Sequence, residues 1–181
     1  KILAGEVTTP GSFSRRTLDV VRNLSQADAQ AFQEIAPYVF RGGRNLFIPA
    51  SEKLLSKYGV PYSVIMTLDE CGLLVSDFGL SLKIKVGDGG LYTRNYIMLF
   101  STESGATEEI SHRIYSLTKA GCELFKILSV EYNDDYFMDF AEELYEFNKV
   151  KIKVHKVNDI NDTNINYEDD PVKVFGNEQT K

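Results

Sequence analysis

The run Lys149-Val150-Lys151-Ile152-Lys153-Val154-His155-Lys156 alternates strictly between polar and apolar side chains. A helix turns about 100° per residue and scatters such a set around its axis, whereas a strand, with its period of two, sorts it onto two faces. The run therefore predicts a strand whose Val150, Ile152 and Val154 face a core while the cations face water. Two uses of the cations follow. Lys149, Lys151 and Lys153 form a basic stripe for phosphate or an acidic surface, or they guard a sheet edge against pairing with another chain.

A second alternation, Leu80, Leu82, Ile84 and Val86 against Ser81, Lys83 and Lys85, predicts another strand with one wet face. Gly87-Asp88-Gly89-Gly90 turns the chain, and Tyr92 to Phe100 reads as the returning strand of a hairpin. A third strand is predicted from Ile110 to Tyr115, and short extended pieces at Leu46–Pro49 and Leu73–Val75.

Helices are marked by their starts. Pro10-Gly11 makes a turn, and Ser12 or Ser14 caps a short helix with Leu18, Val21 and Leu24 inward. Ser25-Gln26-Ala27-Asp28 has the form of a capping box, with Asp for the usual Glu, and Ala27, Ala31, Phe32, Ile35 and Val39 recur on one face behind it. Residues 50–58 carry Leu54 and Leu55, and Gly59-Val60-Pro61 breaks that helix. Ser63 caps the next, through Val64, Ile65, Leu68 and Cys71, which stops at Gly72. Ser116 or Thr118 opens a helix with Leu117, Leu124, Phe125 and Leu128 inward. Tyr136 to Phe147 is amphipathic, and Asn148 ends it.

Upstream, Ile2, Leu3, Ala4 and Val7 share a helical face directly after Lys1, and we read them as the end of a longer helix in a larger protein. The segments Ile2-Leu3-Ala4-Gly5-Glu6-Val7, Pro10-Gly11-Ser12-Phe13-Ser14-Arg15-Arg16-Thr17-Leu18, Leu24-Ser25 and Ala29-Gln30-Ala31-Phe32 resemble the core signature of an uncharacterised bacterial group, domain of unknown function 2806 (DUF2806). The resemblance is specific over residues 1–40, weaker to about residue 130 and absent from the tail. It implies further helical sequence upstream and supplies no activity, ligand or catalytic residue.

The order from residue 63 to 121 also resembles a winged helix, with a Gly72-Leu73-Leu74 step, strands, and a Tyr115-Ser116-Leu117-Thr118 start to the closing helix. The fold class predicted is α+β. N-terminal helices (1–45) precede a winged-helix-like helix and antiparallel-sheet region (46–156). An acidic extended tail (157–181) follows, in which Val172–Phe175 has the makings of an extra strand on this chain or a partner. The tail's six acids and two lysines account for −4 of the net charge of −6.

That acidic balance, with pI near 5.0, argues against coating nucleic acid through the overall field. Two cysteines, Cys71 and Cys122, make no disulfide framework or CxxC pair, and each is expected to be a buried, inert thiol. No apolar run reaches the length of a membrane span and no signal pattern opens the chain, so a cytoplasmic location is expected.

Catalytic look-alikes resolve into structure. Asp77-Phe78-Gly79 lacks the companions of a kinase metal motif, and Ser116-Leu117-Thr118-Lys119 lacks those of an S-x-x-K nucleophile. Arg41-Gly42-Gly43-Arg44 reads either as an anion cradle or as a helix-to-strand link. His112 and His155 lie far apart with no His or Glu at ligand spacing, and Glu142-Glu143 and Asp134-Asp135 read as solvated faces. No catalytic residue, metal or cofactor is predicted. The expected function is a non-catalytic interaction or regulatory module with a protein partner or a second copy, contacting it through the Pro10–Phe40 helices or a sheet edge. The alternative is a nucleic-acid-binding winged helix using Arg41, Arg44 and the 149–156 lysines. Against it, residues 63–71 contain no Lys or Arg for phosphate or guanine contacts and carry two acids.

Overall fold

Short polar side chains set where the helices begin. In the computed structural model, which describes residues 13–87, 89–101, 109–161 and 164–176, Ser14 Oγ accepts the Thr17 amide at the start of α1 (Arg15–Asn23). Ser25 and Asp28 exchange both bonds of a capping box, at 3.1 and 2.8 Å, opening α2 (Gln26–Ile35). Ser51 caps α3 (Glu52–Lys57). The next helix, α4 (Tyr62–Glu70), departs from the sequence reading: Pro61, not Ser63, holds its N-cap, with no side-chain bond. Proline brings no amide of its own to satisfy and a φ already suited to helix entry. Thr118 caps α5 (Lys119–Phe125), and Asn133 caps α6 (Asp134–Asn148). The expected helix over Ile2, Leu3, Ala4 and Val7, the Pro10-Gly11 turn and the Ser12 cap lie outside the described residues.

The strands are β1 (Phe40–Gly42), β2 (Asn45–Pro49), β3 (Leu74–Val75), β4 (Ser81–Lys85), β5 (Gly90–Tyr92), β6 (Tyr96–Ser101), β7 (Glu109–Leu117), β8 (Lys151–Ile160), β9 (Ile165–Tyr167) and β10 (Lys173–Phe175). Their order is β10-β8-β6-β5-β1-β2-β7-β3, with β4 also on β7 and β9 also on β8; every pairing is antiparallel. The fold is α+β, as the sequence indicates.

Alternation along the strands divides the apolar residues between two cores. Leu46 and Ile48 face one, built with α1, α2, α4 and α5, whereas Phe47 between them faces the other, built with α6. In α1 the inward face is Thr17, Val20, Val21 and Leu24; Leu18 is outside the cluster. In α2 it is Phe32 and Ile35, and Ala27 in the first turn is exposed. The second core is aromatic. Phe40 stacks on Phe137 at 5.3 Å and meets Phe140 edge-on at 4.9 Å, geometries that add to the area buried.

Three pairing expectations are corrected. Residues 80–86 and 92–100 do not form a hairpin. β4 pairs with β7, from Ser81↔Arg113 to Lys85↔Glu109. β5 and β6 form their own hairpin, bounded by β1 on one side and β8 on the other. An alternating pattern fixes a strand and its buried face but not its partner; Leu91 and Met98, both fully buried, lock β5 and β6 into the middle of the sheet. Second, β8 is no edge: Ile152 is flanked by Phe100 of β6 and Phe175 of β10. The tail supplies that outer strand, and Phe175, at 7% exposure, anchors it in the second core. Third, Arg41-Gly42-Gly43-Arg44 is not a loose link between helix and strand. Gly42 pairs with Asn45, leaving Gly43-Arg44 as a two-residue hairpin turn.

Candidate functional site

The hairpin accounts for both glycines of the Arg-Gly-Gly-Arg run. A Cβ on Gly42 would lie 2.8 Å from Leu91 Cδ2, and Gly43 takes φ +59°, which a tight hairpin turn asks of its first central residue. Arg44 projects from the turn and is exposed. Arg41 pairs across the sheet with Leu46 and Tyr92. The ladder runs on from Tyr92 to Ile97 and His155, about 15 Å across the sheet, so Arg41 shares a sheet face with Lys153 and Lys151, which lie farther along β8. Lys149 stands apart. It adopts φ +54° as the left-handed cap of α6, with its ammonium 5.6 Å from the Tyr145 ring. Lys151 and Lys153 thus lie on one face of β8, and Lys149, Arg41 and Arg44 lie elsewhere.

Arg41 opens instead into a polar cleft of about 950 Å³ at the end of the sheet where the β5–β6 turn, the overhang of β8 and the start of α6 meet. Its cations are Arg41, Arg94 and Lys156, and its aromatic rings belong to Tyr92, Tyr96 and Tyr132. Asp134 is bound by the Asn95 amide at 2.7 Å, and Asp159 is exposed.

A second cavity, about 690 Å³, is apolar and lies between α3, α4 and β7. Leu55, Val60, Pro61 and Tyr115 line it, with Glu52, Asp77 and Arg113 among its polar groups. Tyr62 and Met66, one turn apart on α4, are 44% and 39% exposed, Val75 on β3 is 40% exposed, and Phe78 beside the cavity is 72% exposed. The Asp77-Phe78-Gly79 look-alike is a turn here, closed by the Gly79 amide on Asp77 Oδ1 at 2.7 Å.

Sequence reasoning missed a buried polar cluster. Glu143, read as part of a solvated face, is 6% exposed. Its Oε2 accepts Ser51 Oγ–H at 2.8 Å, and its Oε1 meets His112 Nε2 at 3.1 Å. His112 Nδ1 donates to the Arg113 carbonyl at 2.7 Å, so both ring nitrogens have partners. Burial pushes the Glu143 carboxyl up, but the bonds from His112 and Ser51 outweigh it and hold it below the ordinary carboxylate range. The cluster ties β7 and the N-cap of α3 to the middle of α6. The carboxylate, not the hydroxyl, is the imidazole's partner: Ser51 donates to Glu143 and takes the Leu54 amide, while His112 Nε2 meets Glu143. A sequence signal existed. His112 is in phase with Ile110 and Ile114 on its strand, and Glu143 lies three and seven positions after Phe140 and Tyr136 on its helix.

The second histidine, His155, is buried, with Nδ1 donating to the Glu168 carbonyl at 2.8 Å and Nε2 without a partner. Cys71 and Cys122 are free and half-buried, and burial raises both thiols, which disfavours the reactive thiolate. Among the described residues no group of three or more His, Cys, Asp or Glu side chains is arranged to hold a metal ion, and no helix is long and apolar enough to cross a membrane.

The described residues form an α+β protein with two cores, an apolar groove and a polar cleft. The profile of a family described as protein of unknown function (DUF2806) matches residues 1–141, and the chain belongs to that family. No curated protein and no solved structure matches it.

Proposed function

We propose that the chain is a non-catalytic interaction or regulatory module, part of a larger cytoplasmic bacterial protein and built on a winged-helix-like helix and sheet scaffold. The observation that carries this reading is the apolar groove lined by the exposed Tyr62 and Phe78, with Met66 and Val75 also exposed on α4 and β3. Leaving such large side chains in water is unfavourable, and contiguous exposed apolar surface marks contact with another molecule. Meanwhile the buried ionisable groups best suited to chemistry are committed to holding α6 against the sheet. The occupant is a protein segment that inserts an apolar side chain into the groove. Duplex recognition has less to stand on, because α4 bears Asp69 and Glu70 and no cation.

A photoreactive amino acid at Phe78, in the full-length protein in its host cell, tests the reading. The control position is Ile127, equally apolar and 50% exposed but outside the groove. Discrete adducts from position 78 and none from 127 support a docking site. No adduct at 78, or the same adducts from both positions, overturns it.

A further inference from the structure

The polar cleft at the end of the sheet sets three cations, Arg41, Arg94 and Lys156, against two carboxylates, Asp134 and Asp159, in a chain whose net charge is −6. Arg41 comes from β1, Arg94 from the β5–β6 turn and Lys156 from β8, elements far apart in sequence. Among the described residues none of the three forms an ion pair; the lysines that do are Lys57, Lys83 and Lys119. Both arginines line the cleft together with Tyr132. Burial raises the Tyr132 hydroxyl, and Arg41 and then Arg94 pull it back, with Tyr92 nearby as well. Two arginines lining one cleft with Tyr132, neither of them in an ion pair among the described residues, are suited to a group with several anionic oxygens, since a guanidinium fork binds such a group in bidentate fashion. The rings supply flat apolar faces on which a planar heterocycle stacks. Asn95 and Asn158 add amides for sugar hydroxyls. The volume, about 950 Å³, is in the range of sites that enclose small molecules.

We infer that this cleft binds a nucleoside phosphate, with Arg41 and Arg94 on the phosphate and Tyr92 and Tyr132 on the base. The same chemistry is presented by a free nucleotide and by the end of a single nucleic-acid strand. Neither source uses α4 or the apolar groove, so this site stands or falls separately from the docking surface.

Calorimetric titration of the protein with adenosine 5′-monophosphate, inorganic phosphate, adenosine and a single-stranded hexanucleotide, at low salt, tests it. Arg41→Ala and Arg94→Ala are the test variants and Lys85→Ala, exposed on β4, is the control; circular dichroism confirms that each is folded. The monophosphate is expected to bind more tightly than phosphate or adenosine. Each arginine variant should weaken it about 10- to 100-fold, the scale of one charge-assisted hydrogen-bond set, while Lys85→Ala leaves it unchanged. A hexanucleotide that outcompetes the monophosphate identifies the strand as the source, and the reverse identifies the free nucleotide. The inference is overturned if neither binds at millimolar concentration, if inorganic phosphate binds as well as the monophosphate, or if both arginine variants bind like the wild type.

Discussion

Removing the carboxylate of Glu143 separates charge from hydrogen-bond geometry in the buried cluster. Glu143→Ala takes away the acceptor for Ser51 Oγ–H and for His112 Nε2 at once, in a site where the His112 and Glu143 side chains are 10% and 7% exposed. Removing the acceptor leaves buried hydrogen-bonding groups desolvated and unpaired, at about 1–3 kcal/mol for each. Glu143→Gln is different. The amide oxygen still accepts from Ser51, and the amide N–H donates to Nε2 of a neutral His112 whose Nδ1–H keeps the Arg113 carbonyl. Every polar atom stays paired, so the loss should be about 1 kcal/mol. Urea denaturation at pH 7, followed by far-ultraviolet circular dichroism, reads both values from the midpoint at constant slope. If alanine costs less than about 1 kcal/mol, or glutamine costs as much as alanine, the cluster does not hold α6 as described.

The same carboxylate fixes a pH dependence. Its folded-state pKa lies below the ordinary 4.5, so the stability it contributes is present in full above that value and is lost as pH falls through the folded value. Stability measured downward from pH 6 should fall more steeply in the wild type than in Glu143→Gln. Tyr136 is 1% exposed and its hydroxyl has no partner, so Tyr136→Phe should stabilise the protein by up to about 1 kcal/mol in the same urea assay, since an orphaned buried hydroxyl carries an unrecovered desolvation cost. Gly121→Ala should do the reverse, because its Cβ would lie 2.2 Å from the Leu73 carbonyl oxygen. Neither α5 nor β3 can give way alone, and the melting temperature should drop by at least several degrees, about the shift that 1 kcal/mol or more produces in a chain of this size.

Local features were legible in the sequence and long-range choices were not. The Ser25 capping box and the Ser14 cap depend on atoms three residues apart, so reading residue types in order finds them. The faces of β8 were legible for the same reason, since Val150, Ile152 and Val154 are buried as the alternation requires. Partners were harder. Nothing in Leu80–Val86 says that residues 109–113 will lie beside it rather than residues 92–100, because both offer an apolar face of the right period. The candidate site suffered most. Ser51 and Glu143 are 92 positions apart and His112 and Glu143 are 31 apart, separations that belong to no motif. Arg41 was singled out from sequence, but its companions, Arg94 and Lys156, meet it only through the order of strands β1, β5, β6 and β8.

The outermost strand, β10, is added by residues near the end of the sequence. During synthesis β8 therefore leaves the ribosome with a row of amides and carbonyls uncovered, and the slot for Phe175 stays open until about twenty more residues emerge. That interval is when a nascent chain is most prone to pair with a neighbour. The lysines of β8, which guard no edge in the finished fold, are placed to repel a second copy during it.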